Sequence, residues 1–377
     1  MAGIYIHIPF CIKKCAYCDF ISFADKAECF AKSYCDALKK EIEHYAPKMK
    51  RYLFDTVFIG GGTPSVIDES LIKDVLDSVK KHFSIATDAE ITIETNPGTL
   101  NEQKLSVYKQ AGINRLSIGV QSADDEVLNA IGRIHTFEEA KNSFYLARKC
   151  GFDNINIDIM YALPKQSLSS YTATLNKIIE LSPEHISAYS LILEEGTELY
   201  EMCNSKKVKL PSEDEEFQMH KCTITLLQKA GYERYEISNY AKSGFQCRHN
   251  LNYWQSGEYL GLGVAAHSAV RLEKMLERWS NTACLDNYIS APQKEETHEV
   301  ISKEDEIFEF VMLSLRKTNG FALTEFKERF ACEFLEKYGE KAETLQKKGW
   351  LCISDEWLKL TDKGLDMQNE ALIELLY

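Results

Sequence analysis

Short apolar, β-branched runs alternate with helix-length amphipathic stretches through the first half of the chain. Few folds accept that alternation, which is the pattern of parallel strands joined by crossover helices. Six strand signals are present: Ile4–Ile8, Thr56–Ile59, Glu90–Glu94, Arg115–Val120, Asn154–Met160 and His185–Leu191. Helical periodicity fills the gaps between them, as in Ala24–Tyr45, Leu71–His82 and Phe137–Cys150. A full barrel of eight βα units needs roughly 250 residues, whereas this pattern closes near Glu195. The expected fold is therefore α/β, with a partial (β/α)6 barrel over residues 1–210.

Pro211-Ser-Glu-Asp-Glu-Glu opens a further amphipathic helix, its acidic residues set against the positive end of the helix dipole. From Tyr232 to about Pro292 the periodicity fades into Gly-, Asn- and aromatic-rich sequence, expected as loops and short strands. Residues 211–300 are thus read as a smaller α+β region. Helical periodicity returns from Ser302, and Trp350–Ile353 and Trp357–Leu360, flanking Ser354-Asp-Glu, read as a hairpin before a last helix. That order predicts a C-terminal winged-helix-like domain over 301–377. A winged helix often reads DNA, but this one carries 11 basic against 16 acidic residues, in a chain of net charge −13. Such a field repels phosphate, so no nucleic-acid partner is expected.

The opening Met-Ala-Gly-Ile-Tyr-Ile-His-Ile-Pro has no basic region followed by an apolar run and cleavage site, and no eighteen apolar residues run together anywhere. A cytoplasmic location is the expectation, and the twelve cysteines then read as thiols. Nine are scattered. The other three, in Cys11-Ile-Lys-Lys-Cys15-Ala-Tyr-Cys18, directly follow the first strand, so one loop can gather three thiolates at its carboxyl end. A 4Fe-4S cluster on three thiolates keeps one iron open to an outside chelator. The alternatives are three unrelated thiols or zinc, which needs a fourth ligand such as Asp19 or His7 and prefers paired Cys-x-x-Cys units. Tyr17 reads either as a loop aromatic or as a wall beside an adenine.

Val57-Phe-Ile-Gly-Gly-Gly-Thr-Pro64 places three glycines past the second strand, where backbone can approach a ligand closely. Glu94 closes the third strand, Gln121 the fourth, and Asp158 lies within the fifth, on the face where βα barrels carry their sites. Arg133 follows the next helix, and its planar fork suits a carboxylate. Each alone reads as a surface or helix-end residue; their order and spacing carry the signal.

Tyr5-Ile-His-Ile-Pro-Phe-Cys, the cysteine triad, Gly60-Gly-Gly-Thr-Pro, Glu94-Thr-Asn-Pro-Gly, Arg115-Leu-Ser-Ile-Gly-Val-Gln, Asp158-Ile-Met-Tyr-Ala-Leu-Pro and Tyr235-Glu-Ile-Ser-Asn-Tyr-Ala together resemble the coproporphyrinogen III dehydrogenase-like branch of the radical S-adenosyl-L-methionine (SAM) proteins. The similarity spans nearly the whole chain. It implies a radical SAM barrel with the metal-binding residues Cys11, Cys15 and Cys18 on a 4Fe-4S cluster. It further implies SAM held by Tyr5, Gly61, Gly62, Thr63, Glu94, Gln121, Arg133 and Asp158, with Tyr17 alongside. By the same resemblance Arg133 binds the methionine carboxylate, and Gln121 and Asp158 the ribose hydroxyls.

Two features depart from the oxidative decarboxylase of that branch. Phe20 stands where that enzyme has a further cysteine, and the chain begins almost at the first strand, without its N-terminal extension. Both resemble the HemW family of haem chaperones, as do Arg248-His-Asn-Leu-Asn-Tyr-Trp254 and Gly261-Leu-Gly-Val-Ala-Ala-His-Ser268. His249 could then give an axial nitrogen to haem iron, with Tyr253 and Trp254 as aromatic faces for the porphyrin; a lone histidine is more often a hydrogen-bonded core residue. Cys247 and His267 are secondary candidates. The implied function is a chaperone that binds haem, SAM and the cluster and delivers haem to an acceptor haemoprotein. The rival is oxidative decarboxylation of coproporphyrinogen III; more distant is SAM-dependent haem degradation or methyl transfer. A homodimer and transient membrane association are compatible with this reading.

Overall fold

Side chains alternate across a strand, and that alternation positions everything else in this molecule. A computed structural model describes residues 1–354 and 356–377. It contains six parallel strands paired in chain order: β1 (Ala2–Ile8), β2 (Leu53–Gly61), β3 (Ser84–Thr95), β4 (Arg115–Gln121), β5 (Ile155–Tyr161) and β6 (His185–Ser190). Ile4, Ile6 and Ile8, Val57 and Ile59, and Ile155, Ile157 and Ile159 face outward into one core with the crossover helices Ala27–Tyr45, Glu69–His82, Phe137–Lys149 and Leu168–Leu181. These helices start where local chemistry dictates: Thr136 and Glu139 form a reciprocal capping box, as do Ser212 and Glu215 at the helix Glu213–Lys229. The alternate positions, among them Tyr5, Glu90, Glu94, Arg115, Asn156, Asp158 and Tyr189, are polar and face inward. A parallel sheet buried on both sides is usually apolar throughout, so this polar inner face is the first structural sign of a site.

The sheet does not stop at six strands. Strands β7 (Glu233–Arg234) and β8 (Asn239–Ala241) extend it antiparallel beyond β6. On the other edge β9 (Glu258–Leu262) runs parallel to β1, followed antiparallel by β10 (His267–Leu272), β11 (Met275–Asn281) and β12 (Glu295–Val300). Among the described residues the order is β12-β11-β10-β9-β1-β2-β3-β4-β5-β6-β8-β7, an open barrel. The short strands expected from Tyr232 to Pro292 are thus present, and they join the barrel sheet. They form because the unpaired edge of β1 supplies a template that local propensity does not reveal. Leu260, Leu262, Val270, Trp279 and Tyr288 from this region join the same core as the β1 isoleucines.

Glu41 clasps the two parts together. Fully buried on the first helix, it accepts hydrogen bonds from Gly263 N (2.9 Å), Asn281 Nδ2 (2.6 Å) and the Tyr288 hydroxyl. Burial lifts its carboxyl to about 8, against the three donors that favour the charged form. Between the ordinary carboxylate value and about 8, the folded chain holds a proton that the unfolded chain has lost, so stability falls as pH rises through that window. The stability that the wild type loses relative to Glu41→Gln should therefore grow from about pH 5.5 to about pH 8. A constant difference between the two in scanning calorimetry would show that Glu41 does not hold that proton.

Residues from 303 onward build a second core around Phe310, Phe321, Phe326, Phe330 and Phe334. Helix Lys303–Ser314, strand Phe321–Ala322, helices Leu323–Phe330 and Phe334–Lys347, and strands Leu351–Ile353 and Trp357–Leu360 follow the winged-helix order. In the expected hairpin turn Ser354-Asp-Glu, Asp355 lies outside the described residues. Arg329 fastens this domain to the barrel by donating to Gln255 O (3.1 Å) and Ser256 O (2.8 Å), while within the domain it pairs with Glu306. Among the described residues, no helix is long and apolar enough to cross a membrane.

Candidate functional site

Past β1 the chain pairs Phe10–Cys11 with Phe23–Ala24, closing residues 12–22 into a loop at the carboxyl end of the barrel. Ala16 N donates to Ile131 O (3.1 Å) and Cys18 N to Cys15 O (3.2 Å), which turns the loop inward. Cys11, Cys15 and Cys18 thereby line one cavity of about 380 Å³. Cys11 is buried, with Sγ 3.6 Å from Thr63 Oγ1. Burial pushes both the Cys11 and Cys18 thiols up, Cys18 to about 11.

The same cavity is lined by Tyr17, Gly61, Gly62, Thr63, Glu94 and Gln121, and by Arg133 and Asp158. Strand periodicity brings them there: Glu94 ends β3, Gln121 ends β4, and Asp158 points inward from β5. Gln121 adopts a left-handed backbone (φ 66°) at a register shift in β4, and its Oε1 accepts from the Tyr189 hydroxyl at 3.2 Å. Asp158 accepts from Ser117 Oγ (3.0 Å) and Asn156 Nδ2 (2.7 Å). Burial raises its carboxyl, and burial together with the Asp158 charge raises Glu94 to about 8. Two crowded carboxylates of this kind favour a ligand that brings positive charge. Arg133 supplies the opposite sign: it donates to Asn96 Oδ1 (2.8 Å) and to Gly119 O, and lies 3.5 Å from Cys15 Sγ.

These residues fit a three-thiolate 4Fe-4S cluster with SAM beside it. A Cβ on Gly62 would lie 2.8 Å from Phe10 O and 3.0 Å from Cys11 Sγ, so only glycine lets the backbone pass the thiol. The buried Arg133 Nε has no hydrogen-bond partner among the described residues. No three His, Cys, Asp or Glu side chains among them crowd one point closely enough to hold a single ion; a four-iron cluster spreads its thiolates over separate irons.

Tyr5 and His249 stand beside this cavity rather than in its lining. Tyr5 does not line this cavity; its hydroxyl bonds His7 Nδ1 (3.0 Å), and its ring lines a neighbouring cleft. His249 is 2% exposed, with Nδ1 2.8 Å from Thr56 Oγ1 and Nε2 3.0 Å from the Tyr253 hydroxyl. Burial, then the Arg115 charge, lowers its imidazole to about 3. With both nitrogens engaged it has the geometry of a hydrogen-bonded core histidine, the other reading its sequence offered. The Trp254 ring packs under Arg316 of the C-terminal domain at 5.5 Å. The motif residue that does reach the cavity is Asn250. Asn96, Ser117 and Tyr189, also in the lining, were missed as well, although their two-residue spacing from Glu94, from Gly119 and from Ser187 marks them as inward-facing.

The family model of the radical SAM superfamily matches residues 5–178, and that of the HemN C-terminal domain matches residues 301–367. The heme chaperone HemW of Escherichia coli is 37% identical over 381 residues, spanning 99% of this chain and 97% of that protein. The heme chaperone HemW of Bacillus subtilis is 34% identical, spanning 98% of each. The chain belongs to the HemW family. Among solved structures, the E. coli coproporphyrinogen III oxidase HemN, a radical SAM enzyme, superposes with a TM-score of 0.84 at 24% identity over all of this chain and 90% of that one. At that identity the likeness speaks for the shared fold alone, and this HemW-family chain accordingly has the radical SAM architecture with a C-terminal helical domain.

Proposed function

We propose that the protein binds haem and delivers it to an acceptor haemoprotein, with a 4Fe-4S cluster and SAM in the cavity at the barrel mouth. The observation that carries this is the similarity to heme chaperones over 98–99% of the chain, both domains included. Cys11, Cys15 and Cys18 would hold the cluster. When bound, it supplies one open iron position and a one-electron couple. The chain's own residues supply orientation. The Gly61-Gly62-Thr63 backbone admits the ligand beside Cys11, Arg133 meets a carboxylate, Gln121 and Asp158 accept from hydroxyls, and the Glu94–Asp158 pair favours a cation. Tyr17 walls the cavity. Residues 1–210 then serve as the cofactor-holding unit, 211–300 as the unit that closes its inner end through Asn250, and 301–377 as a docking module. We place the protein in the cytoplasm, where cysteines stay reduced.

The test is to load the full-length protein with haem anaerobically, add an apo-haemoprotein, and follow the acceptor's spectrum with and without SAM. Haem transfer is expected, and its absence would overturn the proposal. A parallel incubation with coproporphyrinogen III and SAM should release no carbon dioxide at enzymatic rates, since Phe20 replaces the additional cysteine; sustained release would favour the decarboxylase instead. Replacing Arg133 by alanine should weaken SAM binding by about 1.5–3 kcal/mol, the worth of a charge-assisted hydrogen bond. Iron content should stay constant, and equal SAM affinity in titration calorimetry would show that Arg133 does not reach the ligand.

A further inference from the structure

The inner face of the sheet carries a second cleft of about 410 Å³ beside the cluster cavity, over β1, β9 and β10. Its volume falls in the roughly 300–1,000 Å³ range of small-molecule sites. Tyr5, Tyr253 and Tyr259 line it, Ala265 and Ala266 open its floor, and Phe20 of the cysteine loop borders both this cleft and the cluster cavity. Phe20 is 64% exposed, an apolar ring held in water between the two. The tyrosine wall is braced from behind: Tyr253 and Tyr259 meet edge to face at 4.8 Å, and His249 meets Tyr253 edge to face at 4.9 Å while bonding its hydroxyl.

Four histidines occupy this face of the sheet, and their hydrogen bonds separate them. His7 is bonded through Nδ1 to Tyr5 and through Nε2 to Ile21 O (2.8 Å). His185 is bonded to Asn156 (2.6 Å) and Tyr235 (2.7 Å), and His249 to Thr56 and Tyr253. His267, at the start of β10, is exposed, lines the cleft, and has no side-chain hydrogen bond among the described residues. An axial ligand needs an imidazole nitrogen that is both free and reachable, and His267 meets both conditions.

We propose that the cleft between the cysteine loop and β10 is the haem site, with His267 as axial ligand and Tyr5, Tyr253, Tyr259 and Phe20 against the porphyrin faces. This rests on the haem-carrying function proposed above and names the place where haem is held. Aromatic faces and one imidazole are what a flat iron porphyrin requires. His249 is a positioning residue in this arrangement, setting the ring of Tyr253. Asp19, on the same cleft, offers an acceptor to the imidazole N–H that does not face the metal, the usual partner of a ligating histidine.

The test is titration of the full-length protein with ferric haem, read by the Soret band and by electron paramagnetic resonance. His267→Ala should shift the Soret maximum and weaken binding about tenfold or more. His267→Gly should regain the wild-type spectrum when free imidazole is added, a rescue that a merely structural residue would not show. Tyr259→Ala should weaken binding while keeping the axial-ligand signature. SAM affinity should be the same in all three variants. If the wild type binds haem while His267→Ala keeps its spectrum and affinity, the cleft assignment falls and the haem-carrying function stands; if the wild type binds no haem, that function itself falls.

Discussion

Replacing Cys11, Cys15 and Cys18 together by alanine is expected to remove the whole iron–sulfur complement, about four iron and four sulfide per chain in anaerobically reconstituted wild type. The three thiols line one cavity, and the other cysteines lie apart from it in sequence and in the cavity lining. The loop itself should survive the change. Its closure rests on backbone bonds, Phe23 N to Pro9 O at 2.7 Å and Ala16 N to Ile131 O at 3.1 Å, that involve no sulfur. Circular dichroism should therefore be unchanged while iron, sulfide and the SAM-sensitive paramagnetic signal disappear together. Iron that survived the triple replacement would place the cluster elsewhere.

The largest effect on stability is expected from Glu90→Ala, on the inner face of β3. Glu90 accepts from the backbone N–H groups of Arg248 and His249, both at 3.1 Å, at the start of the helix Arg248–Trp254. The Cys247 thiol lies 3.5 Å from the same carboxylate. Its charge also faces Arg115, which is 2% exposed. Removing the carboxylate leaves two N–H groups without their acceptor, which costs about 1–3 kcal/mol for each. Glu90→Gln keeps an acceptor and removes only the charge, so its loss should be smaller. Urea unfolding measures both. Because Asn250 belongs to that helix and lines the cavity, SAM affinity should fall in Glu90→Ala too. Equal stability of the alanine variant would show that the two N–H groups do not depend on this acceptor.

The candidate site was legible where its logic is local. The triad occupies eight consecutive residues after a strand, and the loop that carries it could hardly scatter them. Glu94, Gln121 and Asp158 stand at inward positions near strand ends, and a period of two is enough to align them once the strands are known. The aromatic motif was not legible in the same way. Its histidine, tyrosine and tryptophan read alike as haem contacts, yet they separate in space: His249 turns to Thr56, 193 residues away, Tyr253 reaches a cleft, and Trp254 meets the next domain.

By itself, then, the sequence determined the six barrel strands, the helices between them, the winged-helix order and the gathering of the cysteines, because each follows from periodicity or spacing within a short stretch. Only the tertiary structure decided that β9 to β12 continue the barrel sheet, that Tyr5 serves the neighbouring cleft, and that His267 rather than His249 keeps free nitrogens. The physical reason is that an edge strand's partner and an imidazole's hydrogen-bond partner are supplied by distant residues, and no local pattern records which of them folding brings within reach.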